Sequence, residues 1–156
     1  MEFVAAPRLE EVGPISSLIP ALARTHRTLA LSLLREVGLV PGQEVLLAHL
    51  WDEQPRSQVE LAELLCVEPP TAAKMLARME AVGVITREKS APDRRVTLVS
   101  LTDKGRALLE PVQEIWAELE RVTTTGLTED EKALLSDLLS RMTGNIDAQR
   151  HSVAGA

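Results

Sequence analysis

Between residues 57 and 106 the periodicity of the chain changes twice, and the order of those changes leaves few folds open. Ser57 and Glu60 have capping-box spacing and start a short helix that reaches about Leu65. A tight turn later, Pro69 opens a second helix at a position where a missing amide costs nothing, because the first helical N–H groups have no partner to lose. Ala72, Leu76, Met79 and Val82 line one face of that helix, Thr71, Lys74 and Arg78 the other, and Gly83 stops it. The period then drops to two. Residues 84–89 read as a strand, 90–94 as a turn and 95–101 as the returning strand, with Asp93-Arg94-Arg95 at the tip. Leu101-Thr102-Asp103-Lys104-Gly105 opens a further helix. The order is helix, turn, helix, basic two-stranded wing.

The flanks are helical. Ile15, Leu18, Ile19, Leu22, Leu29, Leu33 and Val37 recur at steps of three and four over residues 14–37, and Gly38 ends the pattern. After Pro41-Gly42, Val45, Leu46, Leu47 and Leu50 mark a second helix closing at Asp52, before the Pro55 turn. Beyond the wing, Leu108, Val112, Ile115, Trp116, Leu119 and Val122 keep helical period until Gly126. Thr128 and Glu131 form a second capping box, and Leu134, Leu135, Leu138, Met142 and Ile146 follow. With only Phe3, Trp51 and Trp116 aromatic, aliphatic residues must build the interior. The expected fold class is mainly α (α+β): a winged helix-turn-helix with six helices plus a β-hairpin wing. Residues 1–156 are read as one domain: 39–101 as the reading part, 14–38 and 102–147 as N- and C-terminal dimerisation helices, and 148–156 as a frayed tail. The terminal helices are too amphipathic to stand alone in water, so a homodimer is expected.

Net charge is −6, which on its face disfavours a polyanionic partner, but its distribution reverses the inference. Residues 71–106 hold eight bases and four acids, a local balance of +4, so the remainder carries −10. A local basic patch suffices for phosphate contacts, and acid elsewhere discourages indiscriminate binding. No apolar run approaches the roughly 20 residues of a membrane span, and the first residues lack a basic region followed by an apolar block. A cytoplasmic protein with no membrane partner is expected. One cysteine, Cys66, forms no internal disulfide and reads as a small buried hydrophobe. No His/Cys cluster has metal spacing, no glycine loop suits phosphate, and no nucleophile–base set stands out, so no catalytic residue, metal or cofactor is expected and the chain is not read as an enzyme.

A helix followed by an arginine-tipped ribbon suits duplex DNA: the helix fits the major groove and the ribbon reaches phosphates or the adjacent minor groove. The candidate contacts are Pro70, Thr71, Ala73, Lys74 and Arg78 on the helix and Asp93, Arg94 and Arg95 on the wing. Ser57, Gln58, Arg87 and Lys89 are secondary phosphate candidates. A solvated helix face and a surface turn would look the same singly; the wing at this spacing favours the binding reading.

These motifs together resemble the MarR family of winged-helix transcription regulators. The echoes are densest over residues 57–109: the Leu-Ala-Glu-Leu helix within 58–65, Pro69-Pro70-Thr71 opening the recognition helix, its end at Gly83, the Asp93-Arg94-Arg95 wing and the Leu101-Thr102-Asp103-Lys104-Gly105 run. The resemblance implies a homodimer on a pseudo-palindromic double-stranded DNA operator, usually a repressor, often released by a small anionic or phenolic effector bound between the dimer and reading parts. It also implies that Arg95 enters the minor groove, and that Arg24, His26, Arg27, His49 and Trp51 line an effector pocket. Two positions depart from the pattern. Glu68 stands where Ser or another good N-cap is usual, and Cys66 where Gly is frequent, at a turn position that asks for a left-handed backbone. The rival reading, suggested by overall acidity and Glu68, is a winged-helix protein–protein interaction module without specific DNA binding.

Overall fold

The computed structural model describes residues 8–154, with side chains over 8–149; Phe3 and the last two residues of the expected tail lie outside that range. The chain divides into two compact units, residues 1–119 and 120–156.

The first unit begins with α1 (Leu9–Val12) and α2 (Pro14–Leu34), which tightens into a 3-10 turn at Arg35–Val37 and stops at Gly38, whose φ of 74° is left-handed as a helix terminus requires. The turn at Gly42 (φ 103°) leads into α3 (Gln43–Asp52). There follow β1 (Arg56–Ser57), α4 (Gln58–Leu64), α5 (Pro69–Ala81), β2 (Ile85–Lys89), β3 (Thr97–Leu101), α6 (Asp103–Ala107) and α7 (Leu109–Thr123). The sheet is antiparallel with β3 central: Arg56 and Ser57 of β1 pair with Val99 and Leu98, and β2 pairs from Ile85–Leu101 to Lys89–Thr97. Leu34, Leu46, Leu47, Leu50, Leu61, Leu76, Met79, Ile85 and Val99 are fully buried and meet in one core, joined by Val112 and Leu119 of α7. Each such aliphatic side chain contributes about 1.5–3 kcal/mol by leaving water. The second unit is dominated by α8 (Glu129–Ala154), which Thr128 starts: Glu131 N–H donates to Thr128 Oγ1 at 3.3 Å, and Thr128 N–H donates back to Glu131 Oε2 at 2.8 Å.

Several expectations need correction. The wing has a third strand, β1, that a two-residue segment beside Pro55 does not announce, and β3 begins at Thr97 rather than Arg95 because Ser90 N–H, donating to the Val96 carbonyl at 3.0 Å, closes the turn later. The expected fifth helix is two helices. Pro111 has no N–H to donate to the Ala107 carbonyl, so the chain breaks at Leu108 and restarts as α7. Residues 148–154, expected to fray, continue α8. Val82 does not join the apolar face of α5; it is the C-cap residue and 52% exposed. Cys66 is exposed rather than buried, and its φ of 51° bears out the left-handed turn.

Glu44 is a buried acid at the first turn of α3. Its Oε2 accepts from Gly42 N–H at 2.7 Å, yet burial outweighs the backbone bonds and the field of Arg27, and its carboxyl titrates above the ordinary 4.5. A raised carboxyl pKa means that the folded state binds more protons than the unfolded one, so stability falls as pH rises from about that ordinary value through the raised one. Glu44→Gln keeps an acceptor for Gly42 without the charge. Its stability minus that of the wild type should therefore rise from pH 4 to pH 7 in urea melts; a difference that stays flat or falls over that range contradicts the burial argument.

Candidate nucleic-acid interface

The reading head is built on α5. Pro69 and Pro70 occupy its first two positions, and Thr71 N–H and Ala72 N–H donate to the Glu68 carbonyl at 2.9 and 3.1 Å to close the first turn. Ala72, Leu76 and Met79 face the core, while Pro70, Thr71, Lys74 and Arg78 are exposed and Ala73 is half-buried. The outward stripe is thus the one expected. Lys74 and Arg78 have no acidic partner among the described residues, so both are open to an external anion.

The wing tip is organised by Asp93. Its carboxylate accepts from Arg95 Nε and Nη2, each at 3.1 Å, and from Arg95 N–H at 3.0 Å; the Arg95 side chain and then its amide hold the Asp93 carboxyl below its ordinary value. The bonds fix the base of Arg95 while its side chain stays 92% exposed, with Nη1 free of any protein partner among the described residues. Arg94 is exposed beside it and has no partner among the described residues. Lys89, also exposed, donates to Thr97 Oγ1 across the hairpin at 2.9 Å.

Arg87 has another job. Its Nε and Nη2 donate to Glu80 Oε2 at 2.9 and 2.6 Å, tying β2 to the last turn of α5. The Arg87 side chain holds the Glu80 carboxyl below its ordinary 4.5, so this link is complete above that value and lost as pH falls through the lowered one. Arg87, a secondary phosphate candidate by sequence, is thus engaged by Glu80, a pairing whose signal in the sequence is the seven-residue spacing across the Gly83 turn. Ser57 is likewise committed, accepting from Glu60 N–H at 3.1 Å, while Gln58 is half-buried at the start of α4. The reciprocal half of that capping box is absent, because the Glu60 carboxylate pairs with Arg56 instead, and Arg56 also meets Glu53 at 3.0 Å.

The segment after β3 stitches the wing root to the end of α5. Thr102 Oγ1 donates to the Gly83 carbonyl at 2.7 Å, Lys104 Nζ to the Val82 carbonyl at 2.8 Å, and Thr102 N–H to the Val84 carbonyl at 3.1 Å. Gly105 passes so close that a Cβ there would lie 2.1 Å from the Val84 oxygen. This accounts for glycine in the Leu-Thr-Asp-Lys-Gly run. Trp51, expected in an effector pocket, donates its indole N–H to the Gly105 carbonyl at 3.1 Å and so braces α3 against the same joint. Of the other pocket candidates, Arg24 and Arg27 are exposed on α2, and His26 and His49 are half-buried on α2 and α3. The structure ties Arg27 electrostatically to Glu44 and uses the His49 carbonyl to accept from Arg56 Nε at 3.1 Å.

The model of the MarR family matches residues 39–97, which run from the end of the α2 turn to the first residue of β3. A mutant MarR of E. coli, solved in complex with operator DNA, superposes with a TM-score of 0.80 at 28% identity, covering 88% of this chain and 99% of that one. Over residues 39–97 this chain matches the MarR family, and over 88% of its length it is similar in structure to a MarR regulator. The transcriptional regulator SlyA gives a TM-score of 0.79 at 27% identity over 86% of this chain and 95% of its own. BpsR of Bordetella bronchiseptica shares the fold at 23% identity, with a TM-score of 0.79 and coverage of 89% and 98%. No group of His, Cys, Asp and Glu among the described residues could hold a metal, and no described helix is long and apolar enough to cross a membrane.

If Arg87 and Glu80 act as a brace, Arg87→Ala should speed hydrogen exchange of β2 and β3 amides severalfold while leaving the α2 amides unchanged. Glu80→Gln should do the same, and the double variant should add little to either. Wing exchange that stays at the wild-type rate in both single variants contradicts the brace.

Proposed function

We propose that this chain is a transcriptional regulator of MarR type that acts as a homodimeric repressor occupying a pseudo-palindromic operator. The observation that carries the reading is the pattern of unpaired cations: Lys74 and Arg78 along the exposed face of α5, Arg94 and Arg95 at the wing tip, on two elements held together by internal bonds. Spare charge in a fixed arrangement suits a ligand with a fixed phosphate spacing. Thr71, Ala73 and Lys74 meet base edges and neighbouring phosphates; Pro70 shapes the helix entry; Ser57, Gln58, Arg78 and Lys89 lie toward the backbone; Asp93 presents Arg95 to the minor groove, where negative potential is concentrated. The operator complex of E. coli MarR supports the same partner.

The dimer reading is supported by apolar side chains left in water by the single chain: Ile15, Leu18, Ile19 and Leu22 on α2, and Leu134, Leu135, Leu138, Leu139 and Ile146 on α8. A second copy that covers these stripes removes the cost of their exposure and gives the protein the two-fold symmetry of a palindromic site. A small anionic or phenolic effector near Arg24, His26, Arg27, His49 and Trp51 completes the proposal. Trp51 and Arg27 support it, since the first bonds the wing-root joint and the second acts through its charge on the buried Glu44, so a ligand engaging either couples to the reading head. The site of action is the cytoplasm.

Sedimentation at micromolar concentration should give twice the chain mass, and Leu22→Glu with Leu138→Glu should return it to the monomer. On a selected operator, Arg95→Ala should weaken binding by about tenfold or more and flatten the salt dependence by about one unit of log–log slope per wing, because each lost phosphate contact releases one fewer counterion. Unchanged affinity and slope would remove Arg95 from the interface. A wild-type protein that enriches no DNA sequence would move the reading to an interaction module.

A further inference from the structure

Glu68 is the N-cap residue of α5, exposed, and its side chain makes no capping bond. The two residues after it explain why. An N-cap side chain normally accepts from the second or third helical amide. Here the first two positions are Pro69 and Pro70, which have no N–H, and the third amide, Thr71, already donates to the Glu68 carbonyl at 2.9 Å. No lysine or arginine among the described residues pairs with the carboxylate either. It is an exposed acid without a partner among the described residues, at the leading end of the helix whose outward stripe carries Thr71, Lys74 and Arg78.

In front of phosphates such a group costs affinity; in front of a base edge it discriminates. A carboxylate only accepts hydrogen bonds. In the major groove cytosine offers its N4 amino donor, adenine offers N6 beside the N7 acceptor, and guanine and thymine present acceptors. A carboxylate is therefore best matched by cytosine, less well by adenine, and repelled by the guanine and thymine edges. Resting on the reading of α5 as a major-groove helix, we propose that Glu68 is a specificity-determining residue that accepts a hydrogen bond from a cytosine amino group at one position of each half-site.

The test uses the full-length protein and the site it selects from genomic DNA. Wild type and Glu68→Gln are titrated against that site with every base substituted in turn. Because the Glu68 side chain bonds no described residue, Glu68→Gln should fold and melt close to the wild type. The wild type should prefer cytosine over guanine by roughly tenfold or more at one symmetric position. Glu68→Gln, whose amide both donates and accepts, should move that preference to adenine and leave the other positions alone. Glu68→Gln binding every site variant tighter by a common factor, with base preferences unchanged, overturns the assignment and leaves Glu68 a general repeller of phosphates. A wild-type protein that selects no site sinks the operator reading itself, and this assignment with it.

Discussion

The passage of Gly105 over the Val84 carbonyl is the constraint on which the reading head depends. Val84 lies between the end of α5 and the start of β2, and Gly105 lies in α6 just beyond β3. Their approach therefore closes a loop that begins with the helix and returns through both wing strands. Bonds from Thr102 and Lys104 to the Val82, Gly83 and Val84 carbonyls hold the joint from one side, and the indole of Trp51 from the other. Without a Cβ at position 105 the two backbones reach this distance; with one, the wing root would have to move. The Glu80–Arg87 pair then fixes the wing's slope against the helix, since it joins the last turn of α5 to the middle of β2. A helix and a ribbon held at several points keep their cations at a fixed spacing without help from a ligand.

Charge is divided by the same architecture. The acids within the head are largely used internally: Glu80 on Arg87, Asp93 on Arg95, Asp103 on Arg106 at 2.7 Å. Each holds an arginine in place, while Lys74, Arg78, Arg94 and the Nη1 of Arg95 have no protein partner among the described residues, and Lys89 and Lys104 meet only neutral oxygens. An acidic protein thus carries a basic working edge, and its net charge of −6 says little about its partner.

Much of this was legible in the sequence because the decisive signals are local. Capping residues at Ser57, Thr102 and Thr128 each accept the amide bond expected of them, Gly38, Gly83 and Gly126 all have positive φ, and the change of period after Gly83 located the wing. The sequence failed where structure depends on distant partners or on a single missing donor. β1 exists only because Arg56 and Ser57 find β3 some forty residues later. The break between α6 and α7 follows from one proline inside a pattern whose apolar spacing runs through it undisturbed. Site residues divide the same way: Thr71, Lys74, Arg94 and Arg95 are exposed as their residue types suggested, whereas Arg87 and Trp51 are engaged by Glu80 and the Gly105 carbonyl, across turns that periodicity does not encode.

The most direct test of α5 and the wing as one DNA-reading unit is selection of bound fragments from sheared genomic DNA at near-physiological salt, with binding to the recovered fragment then followed against salt. A two-fold symmetric sequence with half-sites about one helical turn apart is expected, with an affinity that falls steeply as salt rises. No enriched sequence, or binding indifferent to salt, would contradict it.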